Sequence, residues 1–138
     1  MIESQTTEFK RIWQDDYLKT ICAFANAQGG SLWLGVDDSG DIVGLDEIET
    51  LLEVLPNKIN NRLGLIVELR LHLQNNLNYL EIYVPATYAP VSLAGKFYQR
   101  SGSQKLMYDL YYIKNWSVWL EVETLVRTVG VVLGKKGI

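Results

Sequence analysis

Apolar residues recur along this chain with two different periods. Leu18, Ile21, Cys22 and Ala25 follow the i, i+3, i+4, i+7 spacing of a buried helix face, which predicts a helix over about residues 16–28. Gln14, Asp15 and Asp16 supply N-cap candidates and place negative charge at its N-terminus. Gly29 and Gly30 end it, because glycine accepts the left-handed residue that commonly follows a helix. Leu32, Trp33, Leu34 and Val36 predict a strand over residues 31–36. The turn formers of residues 37–41 follow, and residues 42–45 are expected to return as a second strand. Before the helix, the alternation around Phe9 and Trp13 predicts a short strand within residues 6–13.

The same two periods organise the middle of the chain. Ile48, Leu51, Leu52, Leu55, Ile59 and Leu63 form the stripe of a second helix, with Asp46 as cap and Glu47 and Glu49 in its first turn. Pro56 interrupts that stripe, so a kink or two short helices is expected. Residues 65–73 alternate with period two, Asn75-Asn76 makes a turn, and Leu80, Ile82 and Val84 alternate with Tyr79, Glu81 and Tyr83. These two segments predict an antiparallel hairpin. Pro85 and Pro90 bracket a loop, and residues 95–100 form a last strand closed by Ser101-Gly102-Ser103. Residues 106–116 and 119–133 carry apolar residues at helical spacing. The resulting fold class is α+β, a mixed, largely antiparallel sheet with helices packed on one face, plus a C-terminal helical tail. Residues 1–104 form the domain, and residues 105–138 an apolar extension that packs on it or on a partner subunit.

Composition narrows the classes. The 138 residues suit one core, with 48% apolar and 21% charged residues. A net charge of −3 argues against a broadly basic nucleic-acid coat and leaves room for a local basic stripe. The single cysteine, Cys22, lies on a predicted buried face, which excludes a disulfide framework or cysteine-rich zinc site and points to a reducing, cytoplasmic setting. No secretory leader and no membrane span is expected.

Three carboxylates are the sharpest chemical candidates. Glu3 and Glu8 flank the first strand and Asp38 sits in the first turn. If they converge at one rim, they make a hard oxygen-ligand set for Mg²⁺ or Mn²⁺, able to activate water against a phosphodiester. Against this stands the plainer reading of two surface acids and a turn former. Lys10, Arg11, Lys19, Lys96 and Arg100 are candidate phosphate contacts, joined by Lys105, with Tyr98 and Trp33 as stacking surfaces. Solvated charges and core aromatics are the competing explanation. His72, the only histidine, reads as a surface residue on the polar side of its strand. Gly29-Gly30 follows a helix and precedes a strand, the reverse of the order in a phosphate loop.

ESQTTEFKR, AFANAQGGSLWLGVDDSGDIVGL and FYQRSGS, spread over residues 3–103, together resemble the Schlafen-type AlbA domain of bacterial transcriptional-regulator-like proteins. The resemblance implies a DNA- or RNA-binding domain with a regulatory role and no cofactor required for binding. Some Schlafen proteins are similar yet act as metal-dependent endoribonucleases on structured RNA, and their acidic residues match Glu3, Glu8 and Asp38 here. That alternative implies Mg or Mn; a non-catalytic protein-interaction or nucleotide-binding domain is a further one. Many bacterial members carry a further winged-helix region, which is not expected in these 138 residues, and one lobe is expected where the ribonucleases use two. A homodimer with the apolar tail at its interface would supply the second lobe.

Overall fold

In the computed structural model, residues 2–101 and 104–108 are described, with residues 101 and 104–108 traced through their backbone. The chain runs β1 (Thr7–Lys10), a 3₁₀ turn (Asp15–Tyr17), α1 (Leu18–Ala25), β2 (Gly30–Leu34), α2 (Ile48–Leu63), β3 (Glu68–Gln74), β4 (Leu77–Val84), β5 (Phe97–Ser101) and β6 (Gln104–Tyr108). Four strands make one sheet in the order β1-β2-β4-β3. β1 and β2 pair in parallel, which the α1 crossover allows, and the other pairings are antiparallel. β5 and β6 form a separate antiparallel pair lying against α1. The mixed α+β architecture expected from the sequence is therefore present.

Leu32 and Leu34 of β2, Leu80, Ile82 and Val84 of β4, and the buried faces of α1 and α2 make one core. In α2 the fully inward residues are Leu51, Leu55, Ile59 and Leu63, a strict i+4 row. Asn26, just past α1, fastens the smaller sheet to this core. Its buried amide donates to the carbonyls of Val91 (2.8 Å) and Tyr98 (2.9 Å), and its Oδ1 accepts from the Val91 N–H (2.7 Å).

Several boundaries differ from the sequence expectation. α1 starts at Leu18, and neither it nor the preceding 3₁₀ turn has a side-chain cap. The expected cap Asp15 instead accepts from Trp13 Nε1 (2.8 Å) and Lys58 Nζ (2.9 Å). Residues 42–45 do not form a strand. Ile42 makes one bridge to Val36, and the Val43 and Gly44 N–H groups both bond the Gly35 carbonyl (2.8 and 3.0 Å). Gly35, at φ +89°, turns the chain where β2 ends, and a Cβ there would press on Leu45 and Tyr79. Asp46 does not cap α2, whose N-cap is Glu47. Pro56 leaves α2 as a single helix because it is exposed; the carbonyl deprived of a partner can turn to water. Asn75 and Asn76, both at positive φ, make the tight β3–β4 turn that was expected. Leu106–Tyr108 belong to β6 rather than to a helix, so the smaller sheet runs past residue 104. The helical reading of residues 109–138 lies outside the described residues. No described helix is long and apolar enough to cross a membrane.

Candidate nucleic-acid interface

β1 presents alternate residues to opposite faces of the sheet. Glu8 and Lys10 stand in register with Leu32 and Leu34, on the side covered by the helices, and Phe9 with Trp33 on the other. The two charged positions meet different fates. Glu8 Oε1 accepts from Arg100 Nη1 at 2.8 Å, and the Arg100 side chain is only 2% exposed. The same guanidinium donates to the carbonyls of Ser4 and Gln5 and lies 4.6 Å from the Phe24 ring. Arg100 is therefore not a solvent-facing phosphate contact. It is a buried clasp joining β1 to β5.

Lys10 lies at the open end of β1. Its ammonium is 3.6 Å from Glu8 Oε2 and 4.8 Å from the centre of the Tyr17 ring. Arg11 follows, exposed and with no hydrogen bond or ion pair among the described residues. Its charge helps to hold Asp37 below the ordinary aspartate range, after the larger effects of hydrogen bonds from Ser39 and Asp41. Those bonds are donated by the Ser39 hydroxyl (2.7 Å) and the Asp41 N–H (2.9 Å). Lys10, Arg11, Phe9, Ile12, Tyr17 and Asp38 line a shallow cleft of about 360 Å³. Asp38 and these two cations are thus brought together.

The other candidates lie elsewhere. Lys19 pairs with Asp16 at 2.8 Å, which raises the ammonium's pKa, with a smaller contribution from nearby Tyr98. Tyr98 packs against the core, and Lys96 is exposed in the turn before β5. Of the acids expected beside Asp38, Glu3 accepts the Phe9 N–H (2.9 Å) and Glu8 holds Arg100. Among the described residues, no three Asp, Glu, His or Cys side chains are grouped to hold a metal ion. The residues present do not fit the Mg or Mn site in this arrangement.

Sequence reasoning missed a second polar constellation, on the sheet face away from the helices. Glu81 of β4, its side chain 8% exposed, accepts from Ser31 Oγ (2.6 Å), lies 3.4 Å from Arg70 Nη1 and 3.2 Å from His72 Nε2. His72 stacks on Tyr79 at 5.1 Å between ring centres and lies 5.2 Å from Trp33. His72 is therefore not a plain surface residue, and Trp33 belongs to this face rather than to the Lys10 cleft. The signal was present: Ser31, Arg70, His72 and Glu81 all fall on the polar phase of their strands, but linking them requires the register.

Comparisons with known proteins agree with this architecture. The DIP2311 protein from Corynebacterium diphtheriae superposes with a TM-score of 0.64 at 20% identity, over 80% of this chain and 24% of that one. The chain thus spans about a quarter of that protein's length. The N-terminal domain of an ATP-dependent DNA helicase RecG-related protein from Nitrosomonas europaea superposes with a TM-score of 0.58 at 30% identity, over 75% of this chain and 83% of that one. No curated protein matches the chain in sequence. The family described as Schlafen, AlbA_2 matches residues 3–109, a span that runs from Glu3 through β6. This chain is a member of the Schlafen AlbA_2 family.

Proposed function

We infer that this domain binds DNA or RNA, and that the cleft at the end of β1 contributes the phosphate contacts. One observation carries the reading: Lys10 and Arg11 stand side by side at an open cleft, and Arg11 has no partner among the described residues. A cation without a protein partner can neutralise a phosphate and release counterions. Tyr17 holds Lys10 in place from one side. Family membership and the likeness to a domain of a helicase-related protein support nucleic acid as the ligand. Binding that leaves the strand intact suits a regulatory role, in which occupancy of DNA is itself the output.

Fluorescence anisotropy with labelled single-stranded DNA, duplex DNA and structured RNA tests this over a series of salt concentrations. The affinity is expected to fall as salt rises, and Arg11→Glu to weaken binding about ten-fold, the size of one lost contact of ~1.4 kcal/mol. Unchanged affinity in Lys10→Glu and Arg11→Glu would remove this cleft from the interface. Adding Mn²⁺ to the same samples checks the ribonuclease alternative: strand cleavage that disappears in Asp38→Ala would replace binding by catalysis.

A further inference from the structure

β3 is the outer strand of the four-stranded sheet, and its free edge is paired with no described strand. Natural edge strands are usually blunted by lysine, proline or a bulge. β3, with the sequence ELRLHLQ, has no lysine and no proline. On its helix side, Leu71 is 51% exposed and Leu73 67% exposed. On the opposite side, Glu68 and Arg70 stand two residues apart, with their side chains 61% and 41% exposed. Among the described residues the edge therefore offers unpaired backbone groups, an exposed leucine row and two charges of opposite sign.

We propose that Glu68–Arg70 of β3 pair antiparallel with the same residues of a second copy of this chain, centred on Leu69, while residues 71–74 lie along the segment 64–67 that leads into the other copy's β3, to join the two sheets across the dimer. A two-fold axis at residue 69 sets residue i opposite residue 138 − i of the other copy. Glu68 then faces Arg70 of the other copy, and Arg70 faces Glu68. The intrachain pair at 2.9 Å becomes part of an alternating four-charge row. On the other side of the sheet, Leu71 comes opposite Val67 and Leu73 opposite Leu65. Val67 and Leu65 already belong to or pack on the core, so the exposed leucines of each copy extend the core of the other. An axis at Arg70 would set arginine against arginine, and an axis at Leu71 would set Arg70 against His72. The charges select the Leu69 centre.

Two measurements on the full chain test this. Sedimentation equilibrium should give a mass twice the 15.7 kDa of the chain. Leu71→Lys should return it to monomer with an unchanged circular dichroism spectrum, since that position is half exposed. Oxidation of Leu69→Cys should yield a disulfide-linked dimer, because opposed residues at the axis lie within disulfide reach. Leu71→Cys should not cross-link. The buried Cys22 thiol, pushed up to about 11 by desolvation, stays silent in both. A monomeric wild-type chain, a dimer indifferent to Leu71→Lys, or cross-linking through Cys at 71 and not at 69 would each overturn the proposal.

Discussion

Arg100 and Arg11 look alike in the sequence, each a cation next to a strand, and the fold uses them in opposite ways. Arg100 is withdrawn from water, with Glu8, two backbone carbonyls and the Phe24 ring around it. Arg11 stays in water beside a cleft, with its nearest charge influence on Asp37. The contrast teaches that a candidate phosphate contact is identified by what the rest of the chain leaves unpaired. A positive charge whose partner is already inside the molecule holds the molecule together; one without a partner is free for a ligand.

The largest effect should come from breaking the buried half of this contrast. Arg100→Ala leaves Glu8 with only Lys10, 3.6 Å away, in a site closed to most solvent, and should cost about 3 kcal/mol in urea unfolding, the low end for a broken buried pair. A loss below about 1 kcal/mol would show that water reaches Glu8 and that the clasp is not a buried pair. Next comes the thiol packed on the same side of the fold. Cys22 lies fully buried in α1, and desolvation raises its pKa to about 11. Alkylation at pH 8 should run roughly a hundred-fold slower than for a free cysteine, from a pKa two units higher. Full speed under native conditions would mean that α1 opens readily.

The exposed half should respond more mildly. Arg11→Glu, expected to weaken nucleic-acid binding about ten-fold, should leave the unfolding midpoint nearly unchanged, as surface substitutions do. A large drop in stability would transfer Arg11 to the structural class. Smallest of all is the titration of Asp37. Its pKa is lowered in the folded state, first by the Ser39 hydroxyl. The stabilisation is present above the unfolded aspartate value near ~3.9 and fades as pH falls through the lower folded value. Asp37→Asn should therefore lower stability slightly at pH 7 and flatten the stability curve below about pH 4, where the two proteins converge. Equal slopes in acid for both proteins would show that the turn bonds do not favour the carboxylate.

How far the sequence could be read depended on how local each feature is. The α2 stripe and the Asn75-Asn76 hairpin follow from residues three, four or two positions apart, and both appear in the fold. Gly29 is left-handed as expected, yet α1 already ends at Ala25, where the right-handed Asn26 is its C-cap. The return segment 42–45 failed because the Val43 and Gly44 N–H groups converge on the Gly35 carbonyl, which stops the ladder after the single Ile42–Val36 bridge. Of the two outcomes expected at Pro56, the split into two short helices is not seen, and α2 runs through the proline from Ile48 to Leu63. Lys10, Arg11 and Asp38 were legible as candidates from composition and turn chemistry. Glu8 with Arg100, and Glu81 with His72, were not, since the first pair spans 92 positions and the second depends on strand register.

The separation between Glu8 and Arg100 also bears on synthesis. A ribosome releases β1 well before β5, so the cation that secures β1 emerges only after β5 has been made. Until then β1 can pair with β2, but its carboxylate has no guanidinium to meet. β1 is thus locked only after β5 has been made, and so long a loop closes slowly. During that interval an exposed strand edge is held only by its parallel neighbour, and a nascent chain is most vulnerable there to a chaperone or a protease.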